Sequence, residues 1–247
     1  MVIPRTYGRM GNFLFQAATA MAYAWKHGLD FSLPNSTNDP KANPIYLQHL
    51  VNPRYNRHLP SVTVEEKGHG FQQIRFEPHW RAHNIILDGY WQTEKYFAEY
   101  RDRILQAFNY PHRSMGGWVS FHVRRGDYLT LTRKHPPVSL DWMNRAMGLF
   151  PATSRFRFFS DDIAWCKSTF GGNPRCSFSE RGSEEQDLIE MSWCEHHICS
   201  ASTFSWWGAW LNRNPDKRVV MPAWWFTPGY QGLDTKDIVP QQWERLA

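Results

Sequence analysis

Two adjacent arginines stand between an apolar run and a glycine in the segment Phe121-His122-Val123-Arg124-Arg125-Gly126-Asp127-Tyr128. A guanidinium is a planar fork of donors that stays charged, so a pair of them suits the oxygens of a phosphate or diphosphate. Trp118, Val119, Phe121 and Val123 supply the β-branched and aromatic residues of a short buried strand, and Gly126-Asp127 reads as the turn that ends it. The arginines then sit at a strand's carboxyl end, where open α/β sheets bind ligands. Strand alternation puts His122 and Arg124 on one face and Val123 and Arg125 on the other. The competing interpretation of an isolated Arg-Arg pair is a solvated basic turn.

A second constellation, Cys199-Ser200-Ala201-Ser202-Thr203-Phe204-Ser205-Trp206-Trp207-Gly208, leads from an apolar run through hydroxyl residues into a helix. Ser202, Thr203 or Ser205 can cap that helix. A helix start offers backbone N–H groups and a positive dipole end to phosphate oxygens, although by itself this pattern is also an ordinary N-cap. Three further stretches stand in order along the chain: Gly8-Arg9-Met10-Gly11-Asn12-Phe13, Gly89-Tyr90-Trp91-Gln92-Thr93-Glu94-Lys95-Tyr96-Phe97, and Phe159-Ser160-Asp161-Asp162.

Together these five segments resemble the α-1,2-fucosyltransferases of glycosyltransferase family 11. The His-Val-Arg-Arg-Gly-Asp-Tyr and Ser-Thr-Phe-Ser-Trp-Trp-Gly pieces are the specific ones. The resemblance implies an α/β protein of GT-B type, two Rossmann-like domains facing across a cleft, with an acceptor-side domain over 1–115 and a GDP-fucose-binding domain over 116–247. It implies an inverting enzyme that transfers L-fucose from GDP-β-L-fucose to the 2-hydroxyl of a galactoside in a surface glycan, without a metal or other cofactor. The Asp161-Asp162 pair lacks the Asp-x-Asp spacing of metal-dependent transferases, so arginine takes the place of the cation.

On this resemblance Arg124 is the main diphosphate ligand. Arg125 either assists or holds the loop by a salt bridge to Asp127. His122 and Asp162 hold the guanosine, and Thr203 and Ser205 bind phosphate. Asn12 contacts the fucosyl or β-phosphate oxygens, with Gly8 and Gly11 serving either close backbone approach or turn geometry. Asp127 is the first candidate for general base, with an arginine-paired structural carboxylate as its alternative. Two positions depart from the family pattern: Ala201 stands where an asparagine is usual, and Phe13-Leu14 where many members carry Gln-Met. A protein O-fucosyltransferase-like enzyme and a non-catalytic carbohydrate-binding protein are the rival readings; neither accounts for the whole ordered set.

The elements that must position these residues follow from periodicity. Asn12 to His27 reads as a helix ending at Gly28, and Asn84–Leu87 as a strand followed by a helix from Glu94 to Phe108. Beyond the turn 111–117, strands near 119–123, 157–159, 197–200 and 219–221 alternate with helices near 140–150, 184–194 and 205–212, the pattern of a parallel sheet. Prolines at 34, 40, 44, 53 and 60 make 33–60 mostly loop.

Composition sets the outer bounds. The 247 residues bury a genuine core as one large or two small domains, and a formal charge of +5 favours anionic ligands. No basic run or nucleic-acid module is present, so nucleic acid is not expected as a partner. Thirteen tryptophans are mild support for a sugar ligand, because indoles stack on sugar rings as well as filling cores. The four cysteines have no secreted-framework spacing, and Cys194-Glu195-His196-His197-Ile198-Cys199 has metal-ligand residue types without metal-ligand spacing. Neither a signal peptide nor an apolar stretch of the ~18–20 residues needed to span a bilayer is visible. The expectation is a soluble, bacterial-type member without the membrane-anchored stem of animal relatives, in the cytoplasm or peripherally at the inner face of the membrane.

Overall fold

The computed structural model describes residues 1–34, 46–52, 58–180 and 182–247. The chain divides into two compact units, Met1–Tyr110 with Leu233–Pro240, and Pro111–Gly232 with Gln241–Ala247. Much of the proline-rich stretch 33–60 lies outside the described residues.

The first unit holds strands β1 (Val2–Arg5), β2 (Ser61–Glu65) and β3 (Asn84–Asp88) and helices α1 (Met10–His27) and α2 (Arg101–Phe108). Its sheet is parallel throughout, in the order β1-β3-β2. Parallel strands all end at one edge, so the segments after Arg5, Glu65 and Asp88 gather there. Val2, Ile85 and Leu87 bury against Ala20, Tyr23 and Ala24 of α1, which explains the alanine-rich face of that helix. The single helix expected over 94–108 is broken into two 3-10 turns, Glu94–Tyr96 and Ala98–Tyr100, before α2. At the junction Phe97 leaves helical geometry (φ −142°) and packs its buried ring 6.0 Å from Phe15 of α1.

The second unit is a six-stranded parallel sheet. Its elements are β4 (Met115–Val123), α3 (Leu140–Gly148), β5 (Arg155–Ser160), α4 (Ile163–Phe170), β6 (Cys176–Phe178), α5 (Glu184–Trp193), β7 (Cys194–Ile198), α6 (Thr203–Leu211), β8 (Val219–Pro222) and β9 (Glu244–Leu246). The order β6-β5-β4-β7-β8-β9 is the 3-2-1-4-5-6 order of a doubly wound Rossmann-type sheet. Its topological switch point lies between β4 and β7. Val119, Phe121, Val123, Phe156 and Phe158 are fully buried, as expected of strands covered on both faces. Among the described residues no helix is long and apolar enough to cross a membrane.

Candidate functional site

The switch point of the second unit brings the two most specific sequence segments together. The Ser200 hydroxyl, at the end of β7, donates to the His122 carbonyl (2.8 Å) and accepts the Arg124 N–H (3.0 Å). One side chain thus ties the carboxyl ends of β4 and β7. Two residues on, Ser202 caps α6 by accepting from the Phe204 N–H, which selects it from the three hydroxyl candidates. Deeper in, His197 lies between Ser120 of β4 (2.7 Å to Nδ1) and Asn212 after α6 (2.9 Å to Nε2), fully buried. The Asn212 amide donates to Nε2, so the proton sits on Nδ1 and goes to Ser120. Burial holds this imidazole neutral, far below its usual pKa.

Each arginine is locked by carboxylates. Arg124 pairs with Asp127 (2.7 Å) and Asp161 (3.0 Å), and its side chain is 17% exposed. Arg125 pairs with Asp162 (3.1 Å) and lies 3.9 Å over the Trp165 ring. Asp127 is therefore the partner of Arg124 and not of Arg125, a correction to the sequence reading. The reason is the turn: residues i and i+3 of a tight turn face each other, whereas Arg125 is turned toward the start of α4. Asp161 also accepts the Arg125 N–H (2.9 Å), and Asp162 caps α4 through the Trp165 N–H (3.2 Å). A Cβ at Gly126 would stand 2.4 Å from the Asp161 carboxylate, so only glycine lets this loop close on it.

Tyr128 connects the pieces. Its hydroxyl donates to the Ala201 carbonyl (2.9 Å), its ring stacks on His135 (4.6 Å, 12°), and Arg124 lies 5.6 Å over the ring. At position 201 the loop is thus held through its backbone carbonyl, whatever the side chain there. Neither Tyr128, Ser200 nor Asp161 was singled out by sequence reasoning. Their signal was present in the motifs, but nothing local says which side chain reaches across.

The remaining expected residues fall in distinct settings. His122 is buried against Phe204 (5.5 Å), and burial, with Arg124 second, pushes its pKa down to about 3; its Nδ1 has no protein partner. Thr203 begins α6 and is half-buried. Ser205 is 1% exposed and shares its proton between the carbonyls of Ser200 and Ser202, so it braces the loop. In the first unit, α1 begins at Met10, so Gly11 and Asn12 lie in its first turn and not in the preceding loop. Asn12 accepts from Gln92 (2.9 Å), and a Cβ at Gly8 (φ 69°) would meet its amide at 2.3 Å, so both the turn and the Asn12 side chain call for glycine there.

The cysteine-histidine segment has its groups engaged elsewhere. Cys194 donates to the Glu190 carbonyl, Cys199 to that of Ser205, and His196 accepts the Arg218 N–H. Among the described residues no three His, Cys, Asp or Glu side chains gather in a metal-binding arrangement.

Comparison with known proteins agrees with the family resemblance. The family model for glycosyl transferase family 11 matches residues 65–246. An α-1,2-colitosyltransferase of Escherichia coli is 30% identical over 66% of this chain and 63% of its own length. The E. coli O-antigen biosynthesis glycosyltransferase WbnK is 35% identical over 48% of this chain and 42% of its own. A galactoside α-(1,2)-fucosyltransferase 1 of Bos taurus is 27% identical over 95% and 76%. The chain thus spans less than two thirds of either bacterial relative. Among solved structures, the fucosyltransferase NodZ from Bradyrhizobium aligns at 14% identity and a TM-score of 0.46, over 84% of this chain and 92% of its own.

Proposed function

The chain belongs to glycosyl transferase family 11, and from that premise we propose that it is an inverting α-1,2-fucosyltransferase. It moves L-fucose from GDP-β-L-fucose to the 2-hydroxyl of a galactoside in a surface glycan. The second unit takes the donor and the first the acceptor, as in a GT-B enzyme. The observation that carries this reading is the guanidinium pair at the switch point, joined through Ser200 to the loop that starts α6.

The acceptor oxygen attacks the anomeric carbon as the bond to the diphosphate breaks, which converts the β donor into an α product. Negative charge then builds on the departing β-phosphate. Arg124 uses two of its nitrogens on Asp127 and Asp161 and keeps further N–H donors for phosphate oxygens. The dipole of α6 and Thr203 at its first turn add to that stabilisation. His122, neutral and buried, presents an acceptor or donor nitrogen to the nucleotide, and Asp162 contributes the lone pairs left by Arg125 and Trp165. Gly11 and Asn12 serve the sugar side.

Three carboxylates surround the two guanidiniums, and a diphosphate that docks on Arg124 competes with the most weakly held of them. Asp127, 52% exposed against 19% for Asp161 and 35% for Asp162, holds no backbone N–H of another element and is the one that yields. Once released from Arg124 it accepts the proton of the attacking hydroxyl. Donor binding thereby frees the base.

The test is release of GDP from GDP-fucose with a panel of galactosides in the presence of EDTA, with product linkage read by NMR. Fucose on the galactose 2-hydroxyl, formed despite the chelator, is the expected result. Saturable glycan binding without GDP release would instead favour a carbohydrate-binding protein. A second donor merits a place in the panel: a colitosyl donor, given the α-1,2-colitosyltransferase relative and Ala201 at the loop that leads to Ser202.

A further inference from the structure

The first unit carries its own cluster at the carboxyl edge of the β1-β3-β2 sheet, and it differs in kind from the arginine site. Among the described residues the two exposed aromatic side chains of the protein are Tyr90 (38%) and Phe71 (45%), and both lie in this unit. All thirteen tryptophans are buried or half-buried, so the exposed rings are not among them. The Tyr90 ring lies 5.9 Å from Tyr7 and 6.1 Å from His69, tilted 46° to the first and 28° to the second. Three rings from three different loops thus line one edge of the sheet.

The backbone under Tyr90 is held out of its relaxed shape. Trp91 is fully buried with φ 55°, a left-handed conformation that costs a bulky residue of order 1–3 kcal/mol. Glu66, at the end of β2, holds it there by accepting the N–H groups of Tyr90 (2.7 Å) and Trp91 (3.0 Å) with its two carboxylate oxygens. A Cβ at Gly89 would fall 2.3 Å from the Glu66 side chain, so the strand end and the carboxylate are packed as one piece. This arrangement turns the Trp91 ring into the core and the Tyr90 ring out to solvent. Beside it the Asp88 carboxylate accepts from the Tyr7 hydroxyl (2.7 Å) and from Arg5, and each of its oxygens keeps a second lone pair.

A hexopyranose matches this chemistry. Its axial C–H face is apolar and stacks on an exposed ring, while its rim hydroxyls both donate and accept. A carboxylate already balanced by a guanidinium suits hydroxyl donors and offers no net charge for an anion. We propose that Tyr90, with Tyr7 and Asp88, forms a subsite for a neutral pyranose unit of the acceptor glycan. Tyr90 supplies the stacking face, and Asp88 accepts from the sugar hydroxyls. The assignment of that sugar as the acceptor rests on the transferase reading above; the binding of a neutral pyranose does not.

The experiment is saturation-transfer NMR with methyl β-galactopyranoside on the full chain, alongside a GDP titration of the same sample. The wild-type protein is expected to saturate the sugar ring protons. Tyr90→Ala should lose that signal at least ten-fold, and Tyr90→Phe, which keeps the face and drops the hydroxyl, should restore it to within about two-fold. Because Tyr90 is exposed, a cooperative thermal melt is expected of both variants. Asp88→Asn should weaken binding without abolishing stacking transfer. Galactoside signal retained in Tyr90→Ala, or absent from the wild-type protein, overturns the subsite. A wild-type protein that binds the galactoside through Tyr90 and does not bind GDP supports the subsite and sinks the transferase reading instead.

Discussion

The carboxyl edges of the two sheets can be set side by side. In the second unit the edge is charged and interlocked: Arg124 and Arg125 are gripped by Asp127, Asp161 and Asp162, and Asp161 and Asp162 in turn hold backbone N–H groups. In the first unit the edge is aromatic, with Tyr7, His69 and Tyr90 arrayed over a backbone that Glu66 holds in a strained turn. A parallel sheet delivers its loops to one edge whatever their composition. What the edge can bind is then decided by the side chains it receives, guanidiniums for an anion and rings with a balanced carboxylate for a neutral sugar.

The sharpest way to break this contrast is at Arg124. Arg124→Ala is expected to lower donor turnover on the order of 10²–10³-fold, as for loss of one preorganised donor to a developing anion. Arg124→Lys should lose less, because a point charge reproduces the field without the fork. Initial-rate kinetics with both variants reads this directly, and near-wild-type turnover in Arg124→Ala at a normal melting temperature would move the diphosphate contact to Arg125.

Gly126→Ala probes the packing behind the clamp. Its Cβ would collide with the Asp161 carboxylate at 2.4 Å, so destabilisation of about 1–3 kcal/mol and a several-fold loss of GDP affinity are expected. Calorimetric titration with GDP measures the second. Unchanged affinity would mean that Asp161 does not order Arg124 for binding.

Acid should separate the two edges by sign. His122 and His197 are buried neutral, with pKa values pushed to about 3 and well below 6.5, so the unfolded chain takes up the protons that the fold refuses. Their contribution to stability is complete above the ordinary histidine pKa and is lost as pH falls from about 6.5 toward 3. Glu66 has the opposite sense, since burial raises its pKa: what it contributes is full below the usual carboxylate range and lost as pH rises through it. Urea unfolding between pH 7 and 4 should show stability falling with acid, and His122→Gln should flatten the slope by about 1.4 kcal/mol per pH unit. An unaltered slope would place the titrating groups elsewhere.

The smallest effect is expected at Tyr128. Tyr128→Phe removes the bond to the Ala201 carbonyl and keeps the stack on His135, so about 1 kcal/mol should appear as a roughly five-fold rise in the donor KM. A change in kcat alone, with the donor KM unaffected, would show that Tyr128 does not order the loop for donor binding.

How far all this was legible depends on the range of the signal. The alternation of Val119, Phe121 and Val123 marked β4, and the hydroxyl run before Trp206 marked the cap of α6, because period and capping are written within a few residues. Strands β2, β6 and β9 passed unnoticed: β6 and β9 are three residues each, and β2 is an edge strand with every other side chain exposed. α4 is hard to read from sequence because its cap, Asp162, belongs to a Ser-Asp-Asp turn whose carboxylates equally suit a ligand site. The break at Phe97 was invisible because it answers to a ring on α1.

By itself the sequence determined the residue types of the donor clamp, the α/β alternation of 116–247 and the family to which the chain belongs, all of them properties of ordered local segments. Only the tertiary structure decided that Arg124 pairs with Asp127, that Ser200 joins β4 to β7, that Ser205 braces a loop, and that Tyr90 and Phe71 are exposed where the tryptophans are buried or half-buried. Each of these is a contact between residues brought together by sheet order and burial. Neither composition nor spacing encodes which of several chemically equivalent side chains will face its partner, because that is set by the packing of the whole unit.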